Sequence, residues 1–247
     1  MGIEIGSTLY HPQIPLNGLV FALDAGNITS YSGSGTNWND MVNNESNTLI
    51  NGSTFSDDKL GAIELDGTND YISLPTSLAA NLSDAASVVI WFKLNSTFNS
   101  SSSSCQALFD VYLNNNTRGL IYFSTDTGYR GTIGSLLIAG SIRNKVYTTQ
   151  DSWNTEWNHL VATRQDGDFK IFINGIEQSL TTVTSTSFGA FSSTASAVSL
   201  GTSLYTFGST YPACPFGGKI AQCSLYNRVL TSSEILKSYS ELKSRYI

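Results

Sequence analysis

The sequence predicts an all-β protein, a two-sheet antiparallel jelly-roll sandwich with one short C-terminal α-helix. Three observations lead to this prediction. Short segments rich in β-branched and aromatic residues recur along the 247 residues, separated by Gly, Asn, Asp and Ser. Charged residues make up only 13% of the chain, so Ser, Thr and Asn solvate the surface, as suits exposed sheets. A convincing helical period of apolar residues occurs only near the C-terminus.

The chain is predicted to form one domain, residues 17–247, preceded by an extended N-terminal arm, residues 1–16. Pro12 and Pro15 disfavour regular pairing within the arm. Sandwiches of this size commonly form a single domain. An extended arm can dock on another subunit by adding to a sheet edge, and a frayed terminus is the equal alternative.

The first strand is predicted at Gly18–Asp24, followed by a loop rich in Asn, Ser and Gly up to Asn47. Trp38 and Met41 are expected to hold this loop against the body. Ser87–Leu94 is almost wholly apolar, which predicts a central strand buried on both faces. The other strands are predicted from the same signals at Ala62–Asp66, Tyr71–Leu74, Ala107–Leu113, Leu120–Ser124, Ser135–Ile142, Trp157–Thr163, Phe169–Ile173, Ile176–Leu180, Ala197–Gly201 and Lys219–Tyr226.

Two hairpins and the terminal helix have specific sequence signals. Asp-Gly within Gln165–Asp168 and Asn174-Gly175 are typical hairpin turns. Thr231 and Glu234 have the spacing of a helix capping box. An apolar stripe follows with spacings of four, three and four, which predicts a helix to the end of the chain: Ile235, Tyr239, Leu242 and Tyr246.

Charge and hydropathy exclude two classes of partner. The net charge is −6, and the 13 basic residues are scattered, so no clustered positive groove for nucleic acid is expected. The longest apolar runs, such as Val88–Phe92, are too short for membrane insertion. Met1–Ile5 has neither a basic nor an apolar leader region, so we expect no secretory signal.

The three cysteines, Cys105, Cys214 and Cys223, do not form a metal-binding pattern. Buried free thiols are the favoured interpretation. A Cys214–Cys223 pair across a loop is the alternative.

Four blocks resemble the laminin-G-like and pentraxin-like members of the concanavalin A-like jelly rolls. They occur in the order of that family and span nearly the whole chain: Gly61–Leu74, Ser87–Lys93, Trp157–Arg164 with Lys170–Gly175, and Gly217–Ile235. The opening segment, Gly18–Asn27 with Ser30–Asp40, is similar to laminin-G-like domains of marine bacteriophage structural proteins. The resemblance implies the sandwich fold and a place on a capsid, tail or fibre.

Catalysis is not expected, although glycosidases share this fold. Their laminarinase-type members carry Glu-x-Asp-x-x-Glu on one strand, and that spacing is absent here. Asp166 and Asp168 come nearest, but a hairpin turn explains them. The two histidines, His11 and His159, are assigned to the arm and to a strand position of the family.

No cofactor is expected, and a single structural calcium ion is the open alternative. Asp66, Asn69 and Asp70 are closely spaced oxygen ligands of the kind calcium needs. A turn rich in turn-forming residues is the favoured interpretation of the same segment. The acidic cluster that the pentraxin resemblance would place after Leu200-Gly201 is missing.

Glycan binding needs an aromatic platform beside polar hydrogen-bonding groups. Tyr129 and Trp153 lie in or beside predicted loops and are the best candidates for exposed ligand contacts. Trp91, Phe92 and Trp157 are assigned to the core.

The leading hypothesis is therefore a non-enzymatic virion structural protein, either a capsid decoration or a tail or fibre component. It would be made in the host cytoplasm and contact other virion structural proteins, with homo-oligomerisation left open. The alternative is a lectin or adhesin that binds host-surface glycans. A glycoside hydrolase of the same fold is the third hypothesis.

Overall fold

A computed structural model gives the architecture of residues 14–82, 85–114, 117–139, 142–165, 168–184, 195–204 and 213–247. Nearly all of the predicted arm, residues 1–13, lies outside these described residues, as do His11 and Asp166. Within them the chain is predominantly β, as the sequence predicts. The strands, in chain order, are β1 Leu19–Asp24, β2 Asn37–Asn39, β3 Ser46–Ile50, β4 Thr54–Ser56, β5 Ala62–Asp66, β6 Tyr71–Leu74, β7 Ala86–Leu94, β8 Phe98–Asn99, β9 Gln106–Asn114, β10 Thr117–Phe123, β11 Ile133–Ala139, β12 Ile142–Thr148, β13 Ser152–Trp153, β14 Trp157–Gln165, β15 Asp168–Ile173, β16 Ile176–Glu177, β17 Leu180–Thr184, β18 Ala197–Leu200 and β19 Gly217–Tyr226.

Two large antiparallel sheets form the sandwich. The eight-stranded sheet has the order β16-β15-β14-β7-β19-β5-β4, and β1 also pairs with β19. The nine-stranded sheet has the order β17-β12-β11-β10-β9-β18-β6-β3-β2. Strands β8 and β13 pair separately as a small ribbon. The architecture confirms the predicted jelly-roll sandwich.

The main core lies between the two large sheets. Ile90 and Phe92 of β7 and Phe123 of β10 are fully buried in it. Eight of the nine residues of β7 are buried, which confirms the predicted central strand. A core this apolar removes enough non-polar surface from water to hold the two sheets together.

The loop after β1 is pinned to the sandwich as expected. Trp38 is fully buried. Asp40 accepts a hydrogen bond from the Ala22 backbone N–H, and Met41 donates one from its own N–H to the Ala22 carbonyl. The same loop contributes two strands that the sequence analysis did not predict, β2 and β3.

The C-terminal helix, α2, runs over Ser232–Tyr246 after a one-turn helix, α1, at Leu78–Asn81. A 3-10 turn lies at Asp58–Leu60. The predicted capping box is present, because the Thr231 side chain accepts from the Glu234 N–H and the Glu234 side chain accepts from the Thr231 N–H. Tyr246 stacks on Trp91, so α2 covers the outer face of the eight-stranded sheet.

Two predictions about local structure are wrong. The segment predicted as one strand at Ile176–Leu180 is divided between β16 and β17, which belong to different sheets. The cysteines also differ, because Cys105 and Cys214 form a disulfide and only Cys223 is a buried free thiol. The pairing brings together residues 109 positions apart, a proximity that follows from the sheet topology and not from local spacing.

Candidate functional site

A polar and aromatic cluster lies on the outer face of the nine-stranded sheet; we call it the tyrosine patch. Its members come from β10, the following loop and β12, namely Tyr122, Asp126, Tyr129, Lys145 and Tyr147. Strand alternation explains the placement. Ile121 and Phe123 point into the core, as does Val146, so the intervening Tyr122, Lys145 and Tyr147 face outward.

One carboxylate oxygen organises the patch. Asp126 Oδ2 accepts hydrogen bonds from Tyr122 OH at 2.7 Å, from Lys145 Nζ at 2.6 Å and from Tyr147 OH. The two tyrosine hydroxyl oxygens are 3.3 Å apart. Three converging donors fix both the position and the orientation of this carboxylate.

The electrostatics keep the patch in one protonation state. Burial alone would raise the pKa of Asp126, but the hydrogen bonds from Lys145, Tyr147 and Tyr122 outweigh it and hold that pKa at about 2. Burial and the nearby Asp126 carboxylate raise the pKa of Tyr122. Near neutral pH, Asp126 is therefore ionised and Tyr122 neutral.

Tyr129 is the partly exposed aromatic ring of the patch. It stacks on Tyr147 with ring centroids 4.2 Å apart and planes 5° from parallel. Its N–H donates to the Asp126 carbonyl, and its own carbonyl accepts from Thr132 Oγ1, so the loop is well held. One face of the ring covers Tyr147, and the exposed part remains available to a ligand.

Asp126 has one carboxylate oxygen, Oδ1, that accepts no hydrogen bond within the described residues. Its side chain is 43% exposed. All three of its side-chain hydrogen bonds within the described residues use Oδ2 and leave Oδ1 unused. A ligand hydroxyl that approaches Tyr129 can therefore donate to a carboxylate that is already oriented.

The patch is continuous with a small apolar cluster outside the main core. Leu120 and Leu136 pack there with Tyr122 and Tyr147. The disulfide joins the same cluster through Cys214, with Cys105 against it. The cross-link therefore joins the apolar cluster that contains Tyr122 and Tyr147 of the candidate site.

Trp153 does not have the predicted exposure, and this expectation is wrong. Its ring is only 2% exposed and packs against Phe123 in the main core. Its Nε1–H donates to the Gly131 carbonyl at 2.7 Å, two residues beyond Tyr129. Its contact with the patch is thus through the loop that carries Tyr129.

Asp66, Asn69 and Asp70 form a turn in which the acidic oxygens bind the backbone. Asp66 Oδ1 accepts from the N–H groups of Thr68 and Asn69, and these bonds, the one from Thr68 foremost, lower the pKa of Asp66. Asp70 is buried and accepts from the Asp66 N–H, and burial raises the pKa of Asp70. In the described part of the chain, no three His, Cys, Asp or Glu side chains are grouped to hold a metal ion.

His159 and Asp110 are buried titratable groups outside the tyrosine patch. His159 is fully buried between Trp91 and Tyr239. Burial lowers the pKa of its imidazole to about 3. Asp110 is fully buried and accepts from the Leu204 N–H and from Ser203, and burial raises its pKa to about 6.

Of the five members of the patch, only Tyr129 was predicted from the sequence. Tyr122 stands among the apolar residues Leu120, Ile121 and Phe123, so nothing in the sequence marked it as outward-facing. Lys145 and Tyr147 lie in β12, a strand that was not predicted. Val146, Tyr147 and Thr148 are strand-favouring residue types and were the signal that could have revealed it.

Two antiparallel sheets packed face to face, with the outer face of the larger one bearing this patch, define a concanavalin A-like β-sandwich. The chain belongs to the concanavalin A-like lectin/glucanase superfamily, since residues 66–236 match the laminin-G-type family model of that superfamily. No curated protein sequence matches the chain.

Several solved structures share the fold. Domain 4 of AbnA, an extracellular GH43 arabinanase from Geobacillus stearothermophilus in complex with arabinotriose, has a TM-score of 0.65 at 22% identity, over 90% of this chain and 98% of that domain. Trypanosoma rangeli sialidase in complex with the inhibitor DANA has a TM-score of 0.62 at 16% identity, over 95% of this chain but 34% of the sialidase. The receptor-binding domain of a botulinum neurotoxin C/D mosaic serotype has a TM-score of 0.64 at 12% identity, over 91% and 51%.

Proposed function

We propose that the protein is a non-catalytic carbohydrate-binding module and that the tyrosine patch is its ligand site. The observation that carries the proposal is the arrangement of Asp126 beside Tyr129. A carboxylate fixed by three donors offers Oδ1 to a sugar hydroxyl, and a partly exposed ring offers its surface to the apolar side of a sugar.

The carboxylates of this region support binding more than hydrolysis. A glycosidase needs two carboxyl groups flanking the bond, and its general acid must have a raised pKa. Asp126 has a pKa of about 2, so it cannot donate a proton near neutral pH. Asp110 has a pKa near 6 but is fully buried, and its Oδ2 is already hydrogen-bonded.

The likeness to the arabinanase domain adds support of a general kind. That domain holds arabinotriose on the same sandwich fold, and this chain spans 98% of it. An uncharged sugar chain also suits the tyrosine patch, in which Asp126 and Lys145 already neutralise each other.

The sequence resemblance supplies the setting, and we propose that the module is displayed on a virion as a structural component. The opening segment, residues 18–40, carries that resemblance. The Cys105–Cys214 disulfide is consistent with it, because disulfides persist on extracellular surfaces such as those of virions. Mass spectrometry of purified particles tests this setting, and absence of the chain from them would overturn it.

A glycan array tests the ligand site directly. The wild-type protein should bind a defined set of glycans, and Tyr129→Ala should lose at least ten-fold in affinity, about 1.4 kcal/mol, because the ring platform is removed. Tyr129→Phe should keep most of the binding, since it retains the stacked ring.

Tyr71→Ala is the matched control, because Tyr71 is a partly exposed tyrosine of β6 in the same sheet but outside the patch. It should bind like the wild type. Equal binding by the wild type and Tyr129→Ala, or binding to no glycan at all, would contradict the proposal.

A further inference from the structure

A second recess, the amide cleft, lies where β13, the start of β14 and the β15–β16 turn meet. It encloses about 480 Å³, within the size range of small-molecule sites. Five side-chain amides line it, together with Trp153: Gln150, Asn154, Asn158, Asn174 and Gln178. Among the described residues, no charged side chain lines the cleft.

Two of the amides are locked into the fold. Asn174 Nδ2 donates to Asn158 Oδ1 at 3.2 Å, and Asn174 Oδ1 accepts from the His159 N–H at 2.9 Å. Asn158 Nδ2 donates to the Glu156 carbonyl. Asn174 and Gly175 both have positive φ, as the tight turn between β15 and β16 requires. This pair therefore shapes a rigid wall.

The other three amides retain unused hydrogen-bonding atoms. Gln150 Nε2 donates to the Ser152 carbonyl, and Gln178 Nε2 donates to the Ile176 carbonyl, which leaves both Oε1 atoms without a hydrogen bond in the described structure. Asn154 Oδ1 accepts from the Glu156 N–H, which leaves Nδ2 in the same state. The cleft thus presents both acceptors and a donor from neutral groups.

An apolar surface completes the cleft. Ile173 and Ile176 line it, and Ile176 is 66% exposed. Next to Ile176, Gly175 faces α2, since a Cβ at this position would lie 3.0 Å from Leu236 Cδ1. A lining that combines amides with aliphatic groups matches a ligand that has both hydroxyl groups and an apolar face.

We infer that the amide cleft is a second ligand site and that it takes an uncharged, hydroxyl-rich ligand of the size of a short oligosaccharide segment. Each hydroxyl both donates and accepts, which suits amides that do the same. The described lining residues carry no charge that could pair with an ionic ligand. This site goes beyond the proposed function, because its residues are distinct from those of the tyrosine patch.

A peptide fits the cleft less well than a sugar. An extended peptide binds by adding to a sheet edge, and main-chain hydrogen bonds supply its affinity. The edge strand at the cleft, β16, is two residues long, too short for such pairing. The lining offers side-chain amides instead of a continuous backbone edge.

Side-chain amide NH₂ resonances in a two-dimensional ¹⁵N–¹H NMR titration report on this site. The probes are arabinotriose, maltotriose and cellotriose, with blocked trialanine as the peptide probe. At least one trisaccharide should shift the NH₂ signals of Gln150 and Gln178, in the wild type and equally in Tyr129→Ala. A Gln150→Ala/Gln178→Ala double variant, followed through the NH₂ signals of Asn154 and Asn174, should reduce the affinity of this site at least five-fold.

Gln165→Ala is the control, because Gln165 is an exposed glutamine of the same sheet at the far end of β14. Its titration should match the wild type. No shift with any trisaccharide up to its solubility limit, or a shift with trialanine alone, would overturn the inference. Shifts that vanish in Tyr129→Ala would assign all binding to the tyrosine patch and also overturn it. No binding at the tyrosine patch of the wild-type protein, with the cleft shifts retained, would remove only the proposed function.

Discussion

His159 shows how one buried side chain links the fold to pH. Neither ring nitrogen has a hydrogen-bond partner in the described structure, and the ring packs between the sheet and α2. Burial lowers its pKa to about 3, against about 6.5 in an unfolded chain. Between these values the unfolded state binds the proton and the folded state does not, so this residue's effect on stability becomes unfavourable as the pH falls below 6.5.

Replacement of His159 by Phe should remove this acid sensitivity. The wild type should lose about 2 kcal/mol relative to His159→Phe between pH 7 and pH 5, at up to about 1.4 kcal/mol per pH unit. Chemical denaturation at both pH values measures the difference. The raised pKa of Asp110 makes folding more favourable as the pH falls, which is the opposite effect. Asp110 is present in both proteins, so its contribution cancels in the difference between them. Parallel pH profiles of the two proteins would show that His159 is protonated in the folded state.

The disulfide between Cys105 and Cys214 should contribute to the stability of the folded protein. The Cys105–Cys214 disulfide closes a loop of 109 residues, so reduction should lower the free energy of unfolding by about 2–5 kcal/mol. Denaturation with and without reductant measures this loss, and a Cys105→Ser/Cys214→Ser variant should match the reduced protein.

Cys223 is the internal control for the disulfide. It is fully buried, and burial raises the pKa of its thiol, so it should not react with a thiol reagent until the protein unfolds. Two or more reactive thiols in the native, unreduced protein would contradict the assigned pairing.

The type of an aromatic residue predicted whether its side chain is buried better than it predicted which residues that side chain contacts. Trp91, Phe92 and Trp157 are buried as expected, because large apolar rings in central strands have nowhere else to pack. Trp153 was expected on the surface because it lies beside a loop, but the loop folds over it and Gly131 accepts its N–H. The sequence contains no local signal for that contact.

At the scale of elements, the C-terminal helix was the most predictable. Its capping box and apolar stripe are local features that need no tertiary information. Arg228 adds a two-fold hydrogen bond to the capping Glu234, which lowers the pKa of Glu234 to about 2.

Thr231→Ala should destabilise the protein by about 1 kcal/mol, because it removes the side-chain acceptor for the Glu234 N–H. Thermal or chemical denaturation measures the loss. Ser240→Ala, at an exposed position in the middle of α2, should change stability by much less. Equal effects of the two substitutions would indicate that the cap contributes nothing beyond helix propensity.

The strands were predicted where alternation or a long apolar run is strong and missed where pairing depends on distant partners. β5, β6 and β7 agree with the prediction to within one residue. β12 was missed because Arg, Asn and Lys interrupt its apolar pattern. Its stability depends on pairing with β11 on one side and β17 on the other, which the local sequence does not reveal. This omission also hid two members of the tyrosine patch.

At the scale of the whole molecule, two sheets provide a rigid frame and the site lies outside the core. The tyrosine patch occupies the outer face of one sheet, while α2 covers the outer face of the other. The fold and its family followed from sequence blocks spread over the chain. The patch did not, because its residues converge only through the pairing of β10, β11 and β12.

The absence of hydrolysis is a prediction for the whole chain. Incubation with any oligosaccharide that binds should release no reducing ends above those of a buffer control, because Asp126 is ionised and is the one carboxyl group among the described residues of the patch. Reducing-end assays and mass spectrometry of the sugar measure this. Turnover that disappears in Asp126→Asn would identify an enzyme instead.

The most direct test of the central claim is a crystal structure of the protein with a glycan selected on the array. We expect a sugar ring packed on Tyr129 with one hydroxyl within hydrogen-bond distance of Asp126 Oδ1, and an intact glycosidic bond. An intact glycan bound elsewhere with the tyrosine patch empty, or a cleaved glycan at the patch, would contradict it.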